Sequence, residues 1–215
     1  APVEVTGADG SHWRPRNFDR ESHGEVPLHR VLSQSWNQAT ARLGMELGLK
    51  KVIGTLRDLG VGRSISAVPS LLLGALEMSP LEVAAMYQTI AAQGLRSRLR
   101  TIRAITDDAG RPLARYPVRS GRTVEPGPVH LLHYGLQQVV REGTGRAVYQ
   151  RLDADFDVAG KTGSTDDLRD AWFAGFSGDW LAVTWVGRDD NRPTSFTGAT
   201  GALPIWSDFM ASSSR

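Results

Sequence analysis

The run from Phe156 to Gly187 constrains the fold of this chain more than any other stretch. Residues 156–160 lead into Lys161-Thr162-Gly163-Ser164, and 171–176 and 180–187 read as a hairpin turning at Ser177-Gly178-Asp179. The pattern predicts antiparallel strands with a cation, two hydroxyls and a glycine along one sheet edge. Gly163 has no side chain, so another backbone can lie against that edge and bond to its free N–H and C=O groups. An extended peptide suits such an edge.

Upstream, the apolar spacing is helical. Val26, Leu28, Val31 and Leu32 recur at helix period, and a second helix is predicted over 38–47, with Ser35-Trp36-Asn37 at the break. Residues 50–59 read as a third helix closed by Gly60 and Gly62, and 69–78 as an apolar fourth. Ser79-Pro80-Leu81-Glu82 has the form of a capping box with proline at the first helical position, opening a helix to about residue 93 that Gly94 ends. Residues 101–106 and 111–116 read as a small hairpin, and 126–142 as a helix that stops at Gly143-Thr144-Gly145. Gly198 to Gly201 lead into a short amphipathic helix carrying Ile205, Trp206, Phe209 and Met210. The first 25 residues are polar, with a turn suggested at 7–10 and no secure strand or helix. Helices, then antiparallel strands, then one packing helix is α+β order: 26–150 form a mainly helical lobe, and 151–215 the strands and C-terminal helix.

Composition removes several function classes. A chain of 215 residues at 40% hydrophobic content can build one well-cored domain or a large part of a bigger one. With 25 Lys+Arg against 23 Asp+Glu and no basic run interleaved with aromatics, a nucleic-acid partner is not expected. No cysteine is present, so disulfides and thiolate metal sites are out. His12, His23, His29, His130 and His133 include no pair at i and i+4, so no metal or other cofactor is expected. Trp172, Trp180, Trp185 and Trp206 read as core and sheet packing, with Trp180 the exception because it follows a turn. Asp166, Asp167, Asp170, Asp189 and Asp190 read as solvated turn residues. No apolar run spans a membrane and no signal peptide opens the chain, so any export signal or anchor is expected outside it.

Two elements carry the chemistry. Lys161 can supply charge, Thr162 and Ser164 can donate hydroxyls to a carboxylate, and the Ser164 N–H can serve as an oxyanion donor. In Ser35-Trp36-Asn37 a hydroxyl and a carboxamide two residues apart at a helix break can address one cleft, the Ser relaying a proton and the Asn bonding an amide. Taken singly, each has a plainer reading: a solvated lysine ending an edge strand, and a helix cap.

Together, in this order and with a helical segment between, they resemble the penicillin-binding proteins and class A β-lactamases, whose signature pairs Ser-x-Asn-type and Lys-Thr-Gly elements with an upstream Ser-x-x-Lys. The stretches 73–76, 79–84, 87–91, 141–146, 170–175, 184–189 and 198–202 are similar to the bifunctional class A penicillin-binding proteins, most nearly the type-1B subgroup. The resemblance implies a transpeptidase fold in which an antiparallel sheet packs against a helical lobe and a C-terminal helix. It implies a serine-type D-Ala-D-Ala transpeptidase of peptidoglycan synthesis that also binds β-lactams. By position, Ser35 would pass a proton toward the departing D-alanine, and Asn37 would hold the donor peptide's amide. Lys161 would sit close to Ser35, while Thr162 and Ser164 bind the terminal carboxylate and peptide backbone runs along Lys161 to Ser164, past Gly163. Trp36 stands where an aliphatic residue is expected and is assigned to the cleft wall.

One departure is large: no serine in the chain has lysine three places on. In the family the acylated serine lies on a helix upstream of the Ser-x-Asn turn. The chain is therefore expected to be a partial domain, 1–215, without the nucleophile helix or the first strands, and alone it should not acylate. Its expected partners are peptidoglycan stem peptides, β-lactams and the rest of the same domain. The expected location is the periplasmic face of the bacterial inner membrane, through an anchor and a glycosyltransferase half outside these residues. Two alternatives stand beside this: a D,D-carboxypeptidase or β-lactamase that hydrolyses the same acyl-enzyme, and a non-catalytic module that captures peptide by strand addition.

Overall fold

The structure is a computed structural model describing residues 3–6 and 12–213. Strands β1 (Val5–Thr6) and β2 (His12–Trp13) pair antiparallel, an element the polar N-terminal sequence did not disclose; the turn expected at 7–10 lies outside the described residues. Helices α1 (Leu28–Ser33), α2 (Asn37–Leu47) and α3 (Leu49–Asp58) follow. The apolar run expected as a fourth helix over 69–78 forms only a 3-10 turn, Pro69–Leu73. Gly74 at φ 90° takes the left-handed conformation that ends it, leaving 75–79 outside any helix before the next one.

Helix α4 (Pro80–Ala91) starts as its sequence dictates. Ser79 accepts from the Glu82 N–H and Glu82 accepts from the Ser79 N–H, while Pro80 occupies a position where no donor is needed. Four short strands come next: β3 (Leu95–Ser97), β4 (Ala104–Thr106), β5 (Pro112–Arg115) and β6 (Ser120–Arg122). β4 and β5 are the expected hairpin, shortened and bulged; β3 pairs with β6 around them. That second pair was not expected from sequence, because Leu95-Arg96-Ser97 and Ser120-Gly121-Arg122 show no apolar alternation and lie largely exposed.

Helix α5 (Pro126–Arg141) leads through Gly143-Thr144-Gly145 and a 3-10 turn, Arg146–Gln150, to the main sheet. There β7 (Ala159–Ser164), β8 (Ala171–Ser177) and β9 (Trp180–Val186) run antiparallel in that order, and among the described residues no strand pairs with the outer edge of β7. The pleat divides their side chains. Phe173 faces α6 (Leu203–Ser213), where fully buried Trp206 meets it edge-on at 4.9 Å and donates its indole N–H to Ala182 O at 3.0 Å. Ala159 and Phe176, opposite each other in register, face a second core built from Leu59, Ile90, Val129 and Leu136 of the helical lobe. Lys161, two residues beyond Ala159, shares that helical face.

The tryptophans divide largely as expected, Trp172 and Trp185 packing on each other across β8 and β9. Trp206 is core, but Trp185 joins Trp180 at the surface, at 39% and 47% exposed. Trp185 packs on Trp172 and donates to Asp170, so this aspartate is a structural acceptor rather than a free turn acid.

Candidate active site

The turn between α1 and α2 is a Schellman motif with serine in the position that glycine usually takes. Trp36 N–H bonds to Val31 O at 3.0 Å and Ser35 N–H to Leu32 O at 3.2 Å, which places Ser35 at φ 58°. A residue with a β-carbon held there stores strain, and such strain gathers at functional sites. This conformation holds the Ser35 hydroxyl off the helix end and into contact with Lys161: the ammonium donates to Ser35 Oγ at 3.0 Å across 126 residues of sequence. It also donates to Thr162 O at 2.9 Å and approaches Thr162 Oγ1 at 3.4 Å.

Burial pulls the Lys161 pKa down to about 8, because a charged ammonium loses its hydration there. The residue keeps some surface, but its nitrogen is enclosed by the Ser35 turn and β7. An unfolded lysine titrates near 10.5, so between about pH 8 and 10.5 the unfolded chain binds the extra proton and stability rises with pH. Denaturant unfolding at stepped pH should show that rise, and Lys161→Met should remove most of it.

The other expected residues fall into place unevenly. Ser164, at the end of β7, accepts the Gly198 N–H at 2.9 Å. Gly198 opens a single wide π turn, Gly198–Ala202, ahead of α6 and lies flat on the Gly163–Trp172 pair; a β-carbon there would meet Trp172 O at 2.4 Å and Gly163 O at 2.6 Å. Gly163 itself leaves room beside Trp172, whose β-carbon would stand 3.2 Å from one added at Gly163. Asn37 begins α2, and its carboxamide N–H goes to Arg16 O at 2.9 Å. Trp36 stacks on His23 at 4.2 Å and lines a cavity of about 270 Å³ with Asn17, Arg42 and Glu46.

Thr144 was missed. In sequence it reads as part of a helix stop, yet its N–H bonds to Ser33 O at 3.0 Å and its hydroxyl lies 2.7 Å from that of Thr162. Gly143 beside it has no room for a side chain: an added β-carbon would stand 2.1 Å from Ser33 O. The turn after α5 thus clamps the Ser35 bend to β7. No sequence pattern of Gly-Thr-Gly announces such a role; only the partners do.

Chemically the cluster offers a cation, a serine hydroxyl held by it and two further hydroxyls along an unpaired strand edge, a set suited to an anionic, extended ligand. Among the described residues no group of three or more His, Asp or Glu is placed to hold a metal, and no helix is long and apolar enough to cross a membrane.

Comparison with known proteins fits this arrangement. The family described as the penicillin binding protein transpeptidase domain matches residues 4–186. Penicillin-binding protein 1B of Vibrio cholerae is 44% identical over 97% of this chain and 27% of its own length, and that of Escherichia coli 40% identical over 98% and 25%. The chain thus spans about a quarter of the length of these relatives. Among solved structures, penicillin-binding protein 1A from Haemophilus influenzae superposes with TM-score 0.92 at 24% identity, covering 99% of this chain and 38% of that one. The imipenem acyl-enzyme of penicillin-binding protein A from Mycobacterium tuberculosis does so with TM-score 0.79 at 18% identity, covering 96% and 52%. At these identities the two structures speak to the fold alone.

Proposed function

This chain belongs to the penicillin-binding protein transpeptidase domain family, its sequence likeness running to class A members of the type-1B kind, and from that premise we propose that it forms one wall of a peptidoglycan D,D-transpeptidase site. The observation that carries the proposal is the 3.0 Å bond from Lys161 Nζ to Ser35 Oγ. Lys161 can only donate, so it occupies a lone pair of the Ser35 oxygen and leaves the serine hydrogen free. Ser35 gives that hydrogen to the nitrogen of the departing D-alanine as a serine nucleophile attacks the preceding carbonyl and the C–N bond breaks, and the proton that the nucleophile loses returns to Ser35. Lys161 makes the cleft positive, Thr162 and Ser164 bind the terminal carboxylate, and the stem peptide runs along β7 past Gly163, where no side chain intervenes. Asn37 holds the donor amide once its bond to Arg16 is exchanged for substrate.

The acylated serine comes from a segment outside these residues, since no serine here has lysine three places on. The same applies to a membrane anchor and to a glycosyltransferase half, and we place the working protein at the periplasmic face of the inner membrane. A β-lactam occupies the same groove, its carboxylate taking the place of the peptide's.

Labelling with a fluorescent penicillin tests this. The intact protein should gain one lasting covalent adduct, and residues 1–215 alone none. No adduct on the intact protein overturns the proposal; steady release of hydrolysed antibiotic would replace transpeptidation with hydrolysis.

A further inference from the structure

Each hydroxyl of the Lys161-Thr162-Gly163-Ser164 edge is backed by a group from another element. The Gly198 N–H donates to Ser164 Oγ at 2.9 Å, and Thr144 Oγ1 lies 2.7 Å from Thr162 Oγ1. A hydroxyl has one hydrogen to give and two lone pairs to fill. The Ser164 oxygen receives the Gly198 hydrogen, so its own hydrogen remains for an outside acceptor. At Thr162 the neighbours are the Lys161 ammonium at 3.4 Å, which can only donate, and the Thr144 hydroxyl. A bound carboxylate accepts and cannot donate. Once it takes the Thr162 hydrogen, the hydrogen between the two threonines must come from Thr144.

We propose that Thr144 is a positioning residue: by donating to Thr162 it commits the Thr162 hydroxyl, beside Ser164, to an anionic carboxylate in the groove. This rests on the transpeptidase reading and adds to it a residue that touches no substrate. The backbone supports the assignment. The Thr144 N–H is fixed on Ser33 O at 3.0 Å, so the threonine that orients Thr162 is also anchored to the bend that presents Ser35. A shift of either element is felt by the other through this residue as well as through the Lys161–Ser35 bond.

The test uses the intact protein, unmutated and as Thr144→Val, Thr144→Ala and Thr144→Ser. For each, the second-order rate of acylation is measured with benzylpenicillin and with its methyl ester, which lacks the charged carboxylate. The acid should react about tenfold more slowly in the valine and alanine variants, the loss of one hydrogen bond to the groups that hold a charge. The serine variant should recover the rate, and the ester should be affected by none of the three. The acid-to-ester ratio is internal to each preparation, so a partly unfolded variant does not distort it. An unchanged ratio in the valine and alanine variants, or an equal loss with acid and ester, overturns the proposal while the transpeptidase reading stands. No adduct on the unmutated protein removes both.

Discussion

In the intact protein, Ser35→Ala should slow penicillin acylation by about 10²- to 10⁴-fold, the range for loss of a positioned proton carrier. Among the described residues Ser35 Oγ is the side-chain hydroxyl nearest Lys161 Nζ, at 3.0 Å against 3.4 Å for Thr162 Oγ1. Folding should be nearly untouched. Ser35 already carries a β-carbon at φ 58°, so alanine inherits the same backbone strain and the same two Schellman hydrogen bonds. The Lys161 ammonium keeps its bond to Thr162 O at 2.9 Å, so it is not left unpartnered. The expected signature is a large loss of rate with a melting temperature that moves no more than an ordinary surface substitution moves it. Time courses of labelled adduct, read beside thermal unfolding of the same variant, check both halves. Acylation at the unmutated rate would show that the Ser35 hydroxyl does not carry the proton, and the 3.0 Å contact would then be structural only.

The meeting of Ser35 and Lys161 was legible in the sequence because each sits in a short motif whose order and separation are distinctive. The fold was legible for a different reason. Strands 171–176 and 180–187 alternate around a tight turn, and the capping box at Ser79 to Glu82 states where its helix begins, both being local signals. What the sequence hid is non-local. Thr144 matters through Ser33 and Thr162, residues far from it in the chain, and nothing in Gly143-Thr144-Gly145 distinguishes a clamp from a helix stop. The β3–β6 pair is held by register rather than by apolar faces, so periodicity was blind to it. Residues 69–78 misled in the opposite sense: an apolar run satisfied the helix pattern, but a left-handed glycine at 74 stops it after a 3-10 turn at Pro69–Leu73, and the next helix opens only at Pro80. Asn37 was assigned to the cleft on its motif alone, and its carboxamide is engaged by Arg16, a residue from the segment that sequence left unassigned.

Gly143→Ala should damage the site from outside it. A β-carbon at position 143 would stand 2.1 Å from Ser33 O, 2.7 Å from Ser33 C and 2.9 Å from Val139 O. All three are backbone atoms, so no side chain can swing aside, and either α1 or the end of α5 must move. Overpacking against immovable neighbours costs about 3 kcal/mol or more at such a site. The displaced atoms belong to Ser33, two residues before Ser35, and to the Ser33 O···Thr144 N–H bond that ties the bend to β7. A shift of the bend by about 1 Å separates Ser35 Oγ from Lys161 Nζ, and misplacement of that size costs roughly 10²-fold in rate. Stability and acylation should therefore fall together, in contrast to Ser35→Ala, which spares the first. Gly54→Ala is the matched control: Gly54 lies inside α3 with nothing within 4 Å of an added β-carbon, and alanine there should leave acylation unchanged and stability unchanged or slightly raised. A Gly143→Ala protein that melts and acylates like the unmutated one would mean that the bend and the strand are held in register by something other than the turn after α5.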